Sequence, residues 1–179
     1  DNCTGRFWEG RYKSQALLDE KALVTCLAYI DLNPIRAKMA ETPEKSEFTS
    51  ISDRVAKLKR GISPDDNDHT GQPPHLHPFV GNLRDEMPKG LPYHLTDYMK
   101  LLDWTGRAIL ENKRGFISSD KPTMLERLKI DPKNWLYMTQ EFESSFKGLV
   151  GAINTLKAAC KQFGYRKTPN LTSCHQMLM

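Results

Sequence analysis

Residues 63–78, SPDDNDHTGQPPHLHP, divide this chain. Proline, glycine and aspartate dominate the stretch and no apolar period runs through it, so it predicts an exposed loop or linker. On either side, apolar residues recur at three- and four-residue steps, the spacing of helix faces. Residues 14–33 predict one helix. Asp19 is its N-cap, Glu20 adds negative charge to the first turn, and Leu23, Cys26, Leu27 and Ile30 form a buried stripe. It should stop near Asn33, because Pro34 lacks a backbone donor and disfavours a helical residue before it. Residues 49–60 predict a second helix with Ile51, Val55 and Leu58 inward and Gly61 as its stop. Beyond the loop, Thr96 caps a helix carrying Tyr98, Leu101, Leu102, Thr105 and Ile109, and Pro122 starts a short one. Asp131 and Pro132 repeat the cap-then-proline start signal. The longest predicted helix is 140–163, where Phe142, Phe146, Leu149, Ile153, Leu156, Cys160 and Phe163 keep an alternating four/three spacing up to Gly164. Trp104 and Trp135 fall in these patterns as packing residues. There is no internal repeat and no hairpin signal, so the expected fold class is mainly α.

Composition narrows the setting. The apolar share of 39% and charged share of 27% are ordinary for a globular chain. No stretch approaches the roughly 18–20 apolar residues that span a bilayer. Cys3, Cys26, Cys160 and Cys174 show no metal-like spacing, and Cys26 and Cys160 fall within helical apolar patterns, which suits a reducing, cytoplasmic compartment. The net charge is +4, and from Ser144 onward there are five cations and no acid. A basic tail suits a polyanionic partner, although a solvated helix face has the same composition.

Two segments near the start carry most of the functional signal: GRFWEGRYKSQ at 5–15 and AYIDLNPIRA at 28–37. The first alternates rings and cations, including Arg6, Trp8, Arg11 and Lys13. Cations meet phosphates and rings stack on unpaired bases, although an amphipathic strand with a basic face has the same pattern. Together, GRFWEGRYKSQALLDEKAL and CLAYIDLNPIRA resemble the C-terminal part of the catalytic domain of REP-associated tyrosine transposases, of the HUH single-stranded-DNA class. The match is close over about the first 40 residues. Residues 79–163 resemble the helical C-terminal extension of longer members. The resemblance implies an α+β, ferredoxin-like catalytic domain, of which only the C-terminal end lies here, followed by an all-α extension. The divisions would be 1–45 (end of the catalytic domain, with the tyrosine helix), 46–78 (short helix and loop) and 79–179 (extension). The absence of an initiator methionine, with a dense motif so near Asp1, likewise predicts a start inside a longer protein.

The resemblance also implies a chemistry. Tyr29 aligns with the nucleophile that attacks a DNA phosphate, forming a 5′-phosphotyrosine and releasing a 3′-hydroxyl. Asn33, at i+4, aligns with a polar ligand to Mg²⁺ or Mn²⁺, and Lys13 and Arg36 align with basic positions near the active tyrosine that would bind DNA through its phosphates, plain surface charge being the other reading. A cap or turn role before proline is the other reading of Asn33. The family's main metal ligands, two histidines flanking a hydrophobic residue, precede the tyrosine and are not found there. His75-Leu76-His77 spells the pattern, but it follows the tyrosine and is crowded by Pro73, Pro74 and Pro78, so it is expected to be a loop coincidence. The sequence therefore predicts part of a transposase acting on single-stranded or hairpin DNA. Its metal belongs to the intact parent, and the chain is expected to bind none stably and to be inactive alone. A non-catalytic DNA-binding remnant and a helical interaction module are the alternatives.

Overall fold

A computed structural model of the chain describes residues 14–61, 72–81, 89–110 and 121–178. Helices dominate: α1 (Glu20–Asp31), α2 (Asn33–Arg36), α3 (Ser50–Arg60), α4 (Leu95–Leu110), α5 (Thr123–Arg127), α6 (Pro132–Ser145), α7 (Ile153–Gln162) and α8 (Leu171–Met177). Two short strands, β1 (Ala16–Leu17) and β2 (Leu149–Val150), pair in parallel, with Ala16 opposite Leu149 and Leu17 opposite Val150. The mainly α expectation holds. No helix among the described residues is long and apolar enough to cross a membrane.

Local signals place several boundaries. The Asp19 side chain accepts the Ala22 N–H and starts α1, and Asp131 accepts the Lys133 and Asn134 N–H groups ahead of Pro132 to start α6. Gly61, at φ 76°, ends α3. α1 stops at Asp31, close to the end expected from Pro34. Leu32 leaves helical geometry at φ −90°, ψ 1°, and the chain makes one further turn as α2.

Three expectations fail for tertiary reasons. The helix foreseen over 14–33 begins only at Glu20, because the preceding residues are extended against β2: the Ala16 N–H donates to Gly148 O and the Leu18 N–H to Val150 O. Its buried face is Ala22, Val24, Thr25, Ala28 and Asp31, whereas Ile30 is 56% exposed. The most extensive neighbour of α1 is α6. The helix foreseen over 140–163 is cut at Phe146, which turns to φ −130°, ψ 141°. Gly148 takes φ 77°, and at Gly151 a Cβ would lie 2.9 Å from the Asp19 carboxylate and 3.0 Å from Leu18 Cβ. These glycines let β2 run beside β1, so the extension is not all-helical. Phe142, Phe146, Leu149, Leu156 and Cys160 are all buried as expected, in helix–strand–helix rather than one helix. Finally, the 63–78 loop is not wholly exposed: Gln72 and Pro73 are buried, while residues 63–71 lie outside the described set.

One core runs through the chain, taking residues from Ala22 to Leu178. Its indole of Trp135 donates to Thr105 Oγ1, which itself donates to Leu101 O, so the buried ring leaves no orphan N–H. A polar knot sits beside this packing. Asp31, 1% exposed, accepts from Tyr98 Oη at 2.7 Å, from Ser50 Oγ at 3.0 Å and from the Ile51 N–H at 3.4 Å. Burial raises the Asp31 carboxyl above its ordinary value of 3.8, against the lowering effects of these bonds and of Arg54.

Asp31→Ala is expected to destabilise the fold by about 1–3 kcal/mol, because three buried donors lose their acceptor. The folded carboxyl also holds its proton to higher pH than the unfolded chain does. Its stabilising contribution is therefore fullest below pH 3.8 and declines as pH rises through the raised folded value. Urea midpoints measured upward from that pH should show this decline in the wild type and a flatter profile in Asp31→Asn.

Candidate functional site

Tyr29 lies in the last turn of α1, half-buried, on the wall of an open cleft. The opposite wall comes from α6 and the break after it, including Gln140, Glu143, Phe146 and Lys147, and Gln15 and Cys26 complete the rim. The Tyr29 ring packs at a tilt on Phe142, with centroids 5.8 Å apart. The pairing of β1 with β2 positions these walls, and Gln15 Nε2 reinforces it by donating to Phe146 O.

Arg36 organises the site. The kink at Leu32 returns α2 towards α1, and the Arg36 guanidinium stacks on Tyr29, its carbon 3.8 Å from the ring centroid. One terminal nitrogen donates to Tyr29 O at 3.2 Å and to Asn33 Oδ1 at 3.0 Å, and the other donates to Gln140 O at 2.9 Å. Its Nε is buried without a hydrogen-bond partner among the described residues. Arg36 therefore ties α1, α2 and α6 together and covers a face of Tyr29.

The structure thus brings Tyr29, Asn33 and Arg36 together. Arg6, Trp8, Arg11 and Lys13 lie outside the described residues. The fit of Asn33 to a divalent cation is poor. Its carboxamide oxygen already accepts from a guanidinium, whose charge repels a second cation at that atom. No group of three or more histidine, cysteine or carboxylate side chains able to hold a metal occurs among the described residues.

His75 sits in a turn closed by the Leu76 N–H donating to Pro73 O, so this stretch is not a strand. Its Nε2 lies 3.3 Å from Asp53 Oδ2, both side chains being exposed, while His77 contributes its carbonyl oxygen to Arg54. The electrostatics of the Tyr29 cleft are mixed. Lys147 offers a cation, whereas Glu141 and Glu143 oppose a polyanion. The Cys26 thiol on the rim is pushed up by burial and, secondarily, by Glu143, and is a poor nucleophile.

The stacking of Arg36 on Tyr29 has no signal in the sequence, because it depends on the Leu32 kink. Asp31 was missed as well, although an acid three residues after Ala28 on an apolar helix is a visible anomaly. Compared with known proteins, the chain matches no family model, no curated protein and no solved structure.

Arg36→Ala should cost about 1–2 kcal/mol through its lost carbonyl bonds and stacking. It should also speed nitration of Tyr29 by tetranitromethane, read by peptide mass mapping. An unchanged Tyr29 rate would show that the guanidinium does not shield the ring.

Proposed function

We propose that this chain is part of a transposase that cuts and rejoins single-stranded DNA, with Tyr29 as the nucleophile, and that residues 1–45 are the end of its ferredoxin-like catalytic domain. One observation carries the reading. The tyrosine of the YIDLNP motif is at a helix end, only partly buried on the wall of an open cleft, with the motif's own arginine against its ring. A buried structural tyrosine would instead be enclosed like Tyr98, which is 1% exposed.

In the proposed reaction the Tyr29 oxygen attacks phosphorus, and the bond from phosphorus to the 3′-oxygen breaks. The tyrosine proton is lost and the departing 3′-oxygen gains one, leaving a phosphotyrosine ester and a free 3′-hydroxyl. The reverse attack rejoins the strand without an external energy source. Arg36 would orient the ring by stacking. The metal-bearing histidines of the resembled family, whose ion would polarise the phosphate, would come from outside this chain.

The bond between Arg36 and Asn33 favours a second reading, in which the chain holds DNA without cutting it. One experiment separates the two. A labelled single-stranded hairpin is incubated with the chain, with the chain supplied with a segment carrying the histidine pair, and with the Tyr29→Phe form of each. The chain alone should bind with a salt slope near −0.7 per phosphate neutralised and give no covalent band with Mg²⁺ or Mn²⁺. The completed protein should give a band that Tyr29→Phe abolishes, with binding kept within about twofold, since only the attacking oxygen is lost. A band of normal yield in the Phe variant would refute the nucleophile. Absence of any band despite binding would favour the non-catalytic reading.

A further inference from the structure

The end of α7 presents a second surface that does not depend on the role of Tyr29. Residues Lys161–Lys167, KQFGYRK, are exposed throughout, with Phe163 60% and Tyr165 50% accessible. Lys157 lies one turn before Lys161 on the same helix and is exposed as well. No carboxylate among the described residues forms an ion pair with Lys157, Lys161, Arg166 or Lys167. Two rings and four cations thus share one short segment.

The backbone holds this segment in shape. The Tyr165 N–H donates to Cys160 O and the Gly164 N–H to Lys161 O, with Gly164 at φ 68°, which is the paired bonding of a Schellman helix end. A few residues on, Asn170 anchors the returning chain. Its Nδ2 donates to Lys147 O and Leu149 O, and its Oδ1 accepts the Lys147 N–H. The rings are therefore displayed on a turn fixed at both ends, so little ordering entropy remains to be lost on binding.

We propose that the α7–α8 turn is a binding site for single-stranded nucleic acid, in which Phe163 and Tyr165 stack on unpaired bases and Lys157, Lys161, Arg166 and Lys167 neutralise phosphates. Exposed rings among unpaired cations are the elements of sequence-tolerant single-strand recognition. A closed duplex offers the cations its backbone but no free base faces for the rings. An anionic membrane is a poorer fit, because the apolar face of α7, with Leu156, Ala159 and Cys160, is already buried and cannot enter a bilayer. Lys147, whose backbone N–H donates to Asn170, also lies on the rim of the Tyr29 cleft.

The test is fluorescence anisotropy of the full chain with labelled oligothymidylate, with a duplex of equal length and with phosphatidylserine vesicles. Phe163→Ala/Tyr165→Ala should weaken oligothymidylate binding about tenfold or more while leaving its salt slope unchanged. Lys161→Gln/Arg166→Gln/Lys167→Gln should make the slope shallower by about 2, at roughly 0.7 per lost contact. Both variants should melt like the wild type, since the altered side chains are exposed. Tyr29→Phe should keep oligothymidylate affinity, so failure of the nucleophile reading and failure of this site are separately visible. Unchanged affinity in the ring variant, equal loss on duplex, or wild-type binding to vesicles but not to oligothymidylate would overturn the proposal.

Discussion

Asp31 is a carboxylate removed from water at the meeting point of three helices, and much of the molecule is arranged around satisfying it. It ends α1, where the helix dipole disfavours a negative charge. That disadvantage is offset at the start of α3, where its oxygens accept from the Ser50 hydroxyl and the Ile51 N–H, and on α4, where Tyr98 donates its hydroxyl. Burial followed by the Asp31 charge raises the Tyr98 phenol well above its ordinary range, which keeps it a donor. Removing any partner would strand a buried polar group, so α1, α3 and α4 have little freedom to shift independently.

Arg54 extends this constraint into the loop. It is 2% exposed and lies within electrostatic reach of Asp31, and its terminal nitrogens donate to Gln72 Oε1 and His77 O. Gln72 in turn bonds both backbone groups of Phe79, whose ring packs on Tyr98 with centroids 5.1 Å apart. A stretch whose composition says solvent is thereby drawn inward, because a buried guanidinium requires acceptors. On the other side of the molecule Asp19 both caps α1 and accepts the Ala152 N–H, joining the start of α1 to the chain after β2.

Much of the architecture was legible locally. Asp19, Asp131 with Pro132, and Gly61 mark helix ends because capping is a matter of a few neighbouring residues, and the residues chosen for the core were mostly right because apolar recurrence reports burial. Recurrence does not report which element does the burying. The spacing from Phe142 to Phe163 suits one helix, yet it is served by helix, strand and helix, and Phe163, counted with the core, is among the most exposed rings. The motif around Tyr29 was readable through resemblance, whereas the stacking of Arg36 on it was not.

Taken by itself, the sequence determined that the chain is mainly helical, where several helices begin, that many of its recurring apolar residues leave water, and that rings and cations are concentrated near both ends. Those properties follow from local sterics, hydrogen-bond capping and hydrophobic periodicity. Only the tertiary structure decided which face of α1 is buried, that residues 146–152 pair with the start of the chain, that Arg54 and Gln72 go inside, and that Arg36 donates to the Asn33 oxygen. Each of these depends on a partner far along the chain, and a buried charge or a glycine-allowed reversal has no meaning until that partner is in place.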